Sequence, residues 1–161
     1  MLRKHITWAK EINIDTLLTD YKPPEVLAKY FSYDFLCNDK EGRAIMYADV
    51  GNIDLKGLWN SAKPSDGLKT AVLYAERDIM KLYQQNEKLG KSFTKVGYIY
   101  NLENLSFANA TNRKSIEVAM YHYKSYLDNY PERMKYAYLI NVPVFYHIFF
   151  NFKSLCLFCT T

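Results

Sequence analysis

Between Leu68 and Leu89 apolar residues fall at Leu68, Ala71, Val72, Ala75, Ile79, Leu82 and Tyr83, every three or four positions. That spacing predicts one long amphipathic helix with a single face to bury. Gly90 follows, and glycine leaves a helix most readily through a left-handed turn. The helix stands between two runs that read as strands, residues 44–50 and 95–100. A second helical stretch, residues 115–126, leads to a third strand at residues 138–142, and Pro143 then opens a helix to about Phe152. Strands alternating with long helices imply a largely parallel sheet joined by right-handed crossovers. The expected class is therefore α/β. Ligands of open parallel sheets bind at the carboxyl ends of the strands.

The rest of the chain fits around that pattern. Residues 2–13 are helical in pattern, and Asp15 is a candidate cap for a following turn. Pro23-Pro24-Glu25 starts a helix to about Phe31, and Asp39-Lys40-Glu41-Gly42 is a turn. Pro64-Ser65-Asp66-Gly67 is a break in which Ser65 or Asp66 can cap the long helix. Asn129-Tyr130-Pro131-Glu132 ends the second helix, with Glu132 opening a short turn toward Tyr136. A length of 161 residues suits one domain. Lys and Arg are interleaved with acids, as Lys88 beside Glu87, so the net charge of +4 describes a mixed solvated surface and not a nucleic-acid stripe.

Chemistry is hard to find. No Gly-rich loop follows a strand, so no dinucleotide or nucleoside-phosphate cofactor is implied. His5, His122 and His147 have no metal-ligand spacing, and His147 reads as a core or pocket-edge residue. No Gly-x-Ser-x-Gly elbow occurs. The expectation is a binding protein without catalytic residues, metal or cofactor. Cys37, Cys156 and Cys159 form no disulfide framework, and the Cys156-x-x-Cys159 pair reads as chance placement. No leader is visible at the start, so a reduced, cytoplasmic setting is expected. Residues 136–159 are long enough to cross a bilayer, yet Asn141, Pro143, His147, Asn151 and Lys153 interrupt them. A buried strand followed by a buried helix explains them better.

Aromatic residues are abundant, with 15 Tyr, 9 Phe and 2 Trp, enough to fill a core or to line a cavity. Several short motifs then carry a resemblance. They are Met1-Leu-Arg-Lys-His5, Ile14-Asp15, Pro23-Pro-Glu-Val26, Asp39-Lys-Glu-Gly42, Asp54-Leu-Lys-Gly57, Lys88-Leu-Gly90, Asn129-Tyr-Pro-Glu132 and Ile140-Asn-Val-Pro143. In this order and approximate spacing the chain resembles the CRAL-TRIO lipid-transfer proteins, and among them the supernatant protein factor or tocopherol-associated branch. The resemblance implies an α/β cup with a sheet for a floor and a gate helix that closes over one lipid. It implies a hydrophobic lipid and a transient membrane surface as partners. A lipid tail gains about 0.8 kcal/mol per CH₂ on leaving water, so a carrier must offer an enclosed apolar pocket.

By the same resemblance Glu132 falls where phosphoinositide-binding members recognise a headgroup, although a helix-start acid is the alternative. Phe35, Met46 and Val96 fall where phosphatidylcholine-binding members place hydroxyls. None of the three donates a strong hydrogen bond, which favours a tocopherol-like or squalene-like ligand. Tyr98 and Tyr100 share the strand face of Val96 and line the same expected hollow. Asn101 and Asn104 stand where an Asp and a Gly are usual, and a left-handed turn at Asn104 is tolerable.

The organisation implied is an N-terminal helical remnant at residues 1–32, a partial lipid-binding domain at 33–153 and a divergent tail at 154–161. On that alignment the gate helix and later strands are missing, which predicts an exposed apolar surface and impaired transfer. A membrane- or protein-interaction module that transfers nothing is the alternative.

Overall fold

The computed structural model describes residues 2–145, in which a four-stranded sheet of order β1-β2-β3-β4 carries the fold. Strand β2 (Ala44–Asp49) alternates buried and half-buried side chains, the signature of one face held against helices. It pairs in parallel with β3 (Val96–Asn101), and β3 pairs in parallel with β4 (Met134–Ile140). The parallel sheet expected from the alternation is therefore present.

One strand was not expected. Strand β1 (Tyr33–Asn38) runs antiparallel to β2 through the turn at Asp39–Gly42, so the sheet is mixed. Its alternation is broken by a register shift between Phe35 and Cys37, which hides the period of two from the sequence. The carboxylate of Asp39 organises the turn: Oδ1 accepts the backbone N–H of Glu41 and of Arg43, and Oδ2 accepts the Arg43 guanidinium at 2.8 Å.

Helix α5 (Pro64–Leu89) fills the place of the long amphipathic helix and begins one turn earlier than its apolar spacing suggests. Pro64 occupies the first turn and Lys63 the cap position, so neither Ser65 nor Asp66 caps it. Gly90 ends it with φ 60°, as expected. Leu73 and Leu82 on its inner face are fully buried, each contributing roughly 1.5–3 kcal/mol. Leu82 meets Ala44, Met46, Val96 and Tyr98 of the sheet. Near the other end, Val72, Leu73 and Ala75 pack against Ile12 of α1 (Leu2–Ile12) and Leu17 of α2 (Ile14–Asp20). Asn13, with φ 57°, joins those two helices, and Asp15 lies inside the first turn of α2 and does not cap it.

A third apolar cluster joins α3 (Glu25–Tyr30) to α4 (Leu55–Ser61) and α7 (Arg113–Asn129) through Leu27, Leu58, Trp59 and Val118. Helix α4 escaped the periodicity argument because it is short, yet its cap is legible: Asp54 Oδ1 accepts the Gly57 N–H at 3.0 Å. Asn112 caps α7 in the same way through Ser115, and the one-turn α6 (Phe107–Ala110) precedes it.

The end of α7 differs from expectation. Glu132 lies in a short exposed turn as expected, at φ 58°, but the turn is briefer than expected and β4 begins at Met134, four residues before the expected strand. The Cys156–Cys159 pair, His147 and most of the helix expected after Pro143 lie outside the described residues. Among the described residues no helix is long and apolar enough to cross a membrane.

Candidate functional site

Phe35, Met46, Val96, Tyr98 and Tyr100 share one face of the sheet. Phe35 pairs with Met46 and Met46 with Tyr98, while Val96 and Tyr100 lie two residues either side of Tyr98. All five belong to one apolar cluster. The structure therefore brings together five of the six residues read from the sequence. Glu132 stays apart from them in its exposed turn.

The five do not form an open hollow among the described residues. Met46, Val96 and Tyr98 are 2%, 1% and 4% exposed, so helix α5 covers them and little room is left above them. Free volume lies beside them, where a cavity of about 140 Å³ opens between β1 and α5. The strands contribute Tyr33, Asp34, Phe35 and Met46 to its wall, and α5 contributes Tyr74, Arg77, Asp78 and Lys81. A cavity of roughly 150 Å³ admits one benzene, whereas small-molecule pockets run to about 300–1,000 Å³. The described walls thus enclose space for one ring or one chain end.

Aromatic stacking makes the wall stiff. The Tyr74 ring lies between Phe31 and Tyr33, with centroids at 5.9 and 5.0 Å and nearly parallel planes. Two cations of the same wall rest on its rings. Lys81 Nζ lies 4.6 Å from the Phe35 centroid, and the Arg77 guanidinium 5.9 Å from that of Tyr74.

The residue that sequence reasoning missed is Asp78. It is 3% exposed, and its Oδ2 accepts hydrogen bonds from the hydroxyls of Tyr33 and Tyr98, the latter at 3.0 Å. Since Tyr98 spends its one proton on Asp78, the Tyr126 hydroxyl 3.2 Å away donates to Tyr98. One carboxyl group thus ties β1, α5, β3 and α7 together. Burial pushes its pKa up to about 7, while the two tyrosine hydrogen bonds pull the other way. Burial also raises the hydroxyls of Tyr33 and Tyr98 well above the usual tyrosine value, and those of Tyr100 and Tyr126 above it. All four tyrosines are neutral at physiological pH, and Asp78 is the member of the group whose charge changes there. A signal was available in the sequence: position 78 falls three residues after Ala75 and four before Leu82, on the apolar stripe itself.

The carboxyl ends of the parallel strands, where a ligand was expected, hold a closed polar ladder. Asn141 Nδ2 donates to Asn101 Oδ1 at 2.8 Å, Asn101 Nδ2 to Asp49 at 3.1 Å, Asn52 to Asp49 at 2.8 Å, and Asn104 to Asn52 at 2.9 Å. Asn104 takes the left-handed conformation, φ 63°. The amide at position 101 must both donate and accept. Asn101→Asp would set a second carboxylate against Asp49. The variant is expected to lose about 1–3 kcal/mol in urea melts at pH 7 and to recover part of it at pH 4, as one carboxylate takes up a proton. Among the described residues no group of three or more His, Cys, Asp and Glu could hold a metal ion.

Comparison with known proteins places this architecture. The family described as the CRAL/TRIO domain matches residues 27–155. The protein real-time of Drosophila pseudoobscura pseudoobscura is 31% identical over 143 residues, covering 89% of this chain and 21% of that protein. The protein real-time of Aedes aegypti is 27% identical over 154 residues, covering 96% of this chain and 24% of that one. Protein ctg-1 of Caenorhabditis elegans is 27% identical over 142 residues, covering 88% and 37%. The chain thus spans well under half the length of these relatives. The crystal structure of Sfh5 superposes with a TM-score of 0.71 over 92% of this chain and 50% of its own, at 14% identity, which speaks for the fold. With the family match spanning most of its length, the chain belongs to the CRAL/TRIO family, whose domains bind and transfer lipophilic ligands.

Proposed function

We propose that this chain binds one hydrophobic lipid, one end of which enters the cavity between β1 and α5 where Phe35 and Met46 line the wall, at the margin of the packed sheet face that also carries Val96, Tyr98 and Tyr100. The observation that carries this reading is that cavity, walled by the rings of Tyr33, Phe35 and Tyr74 and by Met46 together with four charged side chains, and adjoining the face read from the strand period and the family resemblance. The apolar surface continues from Tyr100 onto its register partner Leu139, which is 37% exposed, and so offers a track for the rest of the molecule. Hydrocarbon on that track gains roughly 25 cal/mol per Å² removed from water.

The preferred ligand is a tocopherol-like or squalene-like isoprenoid, in keeping with the tocopherol-associated branch that the motifs resemble. A phosphoinositide is less favoured, because Glu132 stands apart from the cavity. The protein works in the cytoplasm and meets membranes transiently to load and unload. In this reading residues 33–153 form the lipid-binding domain and residues 1–32 the helical region and linker helix that brace it. Extraction and mass spectrometry of lipids that copurify with the chain test the reading. One lipid class at near-stoichiometric amount is expected, and a chain that carries only the bulk lipid mixture of its host contradicts it.

A second reading draws on the outer surface of α7, where Ile116, Met120 and Leu127 are exposed along one stripe. There the protein docks on a membrane or another protein and transfers nothing. Vesicle-to-vesicle transfer separates the two, since this reading gives vesicle binding without transfer.

A further inference from the structure

We propose that His122 is an acid-sensitive latch on helix α7: the neutral imidazole lets the middle of α7 pack on α4 and α5, and a proton taken up by the ring releases it. The inference goes beyond the lipid-binding reading and does not depend on it.

The ring stands where three helices meet. It lies edge-on to the Trp59 indole of α4, with centroids 5.7 Å apart and planes at 75°. A Cβ built on Gly67 would come within 3.2 Å of its Cε1, so the ring rests on the backbone of the first turn of α5. Val118, one turn earlier on α7, packs in the neighbouring cluster with Leu27, Leu58 and Trp59. Within this contact Nε2 is buried and, among the described residues, has no hydrogen-bond partner. A neutral ring leaves one polar atom unpaired there. An imidazolium would leave an unpaired N–H donor that carries a full charge, which costs far more.

The surroundings offer a cation no compensation. The end of α5 beside the ring is its N-terminus, where the helix dipole is positive. Lys114, on α7 itself, donates to the carbonyl oxygen of Trp59, the residue that the ring touches. Asp66, next to Gly67, acts on Tyr21, and Glu117 pairs with Arg113 on the exposed side of α7. From α3 the neighbouring cluster receives apolar Val26 and Leu27. Burial is accordingly the cause of the lowered histidine pKa, about 4 against 6.5. Asp78 stands outside the latch, because its two donors lie on β1 and β3. His5 of α1 meets Asn129 at the far end of α7 and not the contact around His122. Once α7 is released the ring regains its ordinary pKa. The ratio of released to packed α7 therefore rises about twentyfold from pH 7 to pH 5.

The test is amide hydrogen exchange of the full chain at pH 7 and pH 5, corrected for the intrinsic exchange rates. In the parent, amides in the middle of α7 are expected to lose about twentyfold in protection at pH 5, while those of β2 and β3 do not follow. His122→Phe keeps a ring in the contact and removes the proton site. In that variant the protection of α7 should change by less than about threefold. His5 is present in both proteins, so its contribution is common to them. If His122→Phe fails to fold, His122→Gln, uncharged at both pH values, takes its place. If neither folds, the parent decides alone: a loss confined to α7 supports the latch. Equal protection of α7 at the two pH values, the same loss in the variant as in the parent, or a loss shared equally by β2 and β3 overturns it. None of these readouts involves a lipid, so failure here is distinct from failure of the lipid reading.

Discussion

Replacing Gly51 by alanine is expected to destabilise the protein by more than about 4 kcal/mol, enough to prevent folding in a domain whose whole stability is roughly 5–15 kcal/mol. The reason is backbone crowding. A Cβ built on Gly51 would stand 1.9 Å from the carbonyl oxygen of Glu103 and 2.6 Å from the carbonyl carbon of Leu102. Neither atom is the tip of a movable side chain. The approach is close because the Gly51 N–H donates to the Asn101 carbonyl at 2.9 Å, which draws the loop after β2 onto the end of β3. Relief would require breaking that bond and parting the ends of the two central strands, with the polar ladder of Asp49 and Asn101 between them. Gly90→Ala is the control. There a Cβ meets nothing within 4 Å and the cost is conformational, from φ +60°, about 1 kcal/mol. Thermal melts or soluble yields of the two variants should differ sharply. A Gly51→Ala protein that melts within a few degrees of the parent would show that β2 and β3 do not part as described.

The parallel part of the fold was legible because its elements are long and periodic. The stripe from Leu68 to Leu82 fixes both the helix and the face it buries, β2 alternates as a half-buried strand does, and β3 is a short apolar run buried on both faces at its start. What escaped was short or interrupted. The β1 bulge breaks the alternation after Phe35, and α4 has only seven residues, with a cap that was not read. At residues 132–134 the turn was expected, and its brevity and backbone conformation were not. An acid after proline suggests a helix start, yet Glu132 takes a left-handed turn and lets the chain enter β4 at once. Nothing in its side chain announces that choice.

The site was legible as a face and not as a cavity. Period-two spacing is enough to place Val96, Tyr98 and Tyr100 together, and the resemblance added Phe35 and Met46. Neither could show that α5 closes over Met46 and Val96, because that depends on how a helix 26 residues long lies across the strands. Asp78 was visible as a charge on an apolar stripe. Its partners were not, since Tyr33 and Tyr98 lie on two other elements, 45 and 20 positions away, and only the tertiary fold brings their hydroxyls to one carboxyl group, with Tyr126 from a third element behind Tyr98.

That carboxyl group should set how stability depends on pH, in opposition to one histidine. Asp78 titrates at about 7 in the folded protein against 3.8 when unfolded, mainly because burial disfavours its charge. Its raised value gives the folded state an advantage that is complete below about 3.8 and is lost as the pH climbs through about 7, worth roughly 4 kcal/mol in all. His122 behaves in the opposite sense. Its Nε2 is buried without a partner against Trp59, and burial lowers its pKa from 6.5 to about 4. That advantage is complete above 6.5 and is lost as the pH falls to about 4, worth roughly 3 kcal/mol. Between pH 4 and 6.5 the two slopes largely cancel, so the parent protein should show a nearly flat stability there. Asp78→Asn removes one slope while keeping the acceptor for Tyr33 and Tyr98. Its stability should rise by about 3 kcal/mol from pH 4 to 6.5, exposing the histidine. His122→Phe should do the reverse, losing stability as the pH rises toward 7. Urea melts of the three proteins across that range read the slopes directly. Two variants that track the parent at every pH would mean that water reaches both groups and that neither is buried as the fold places it.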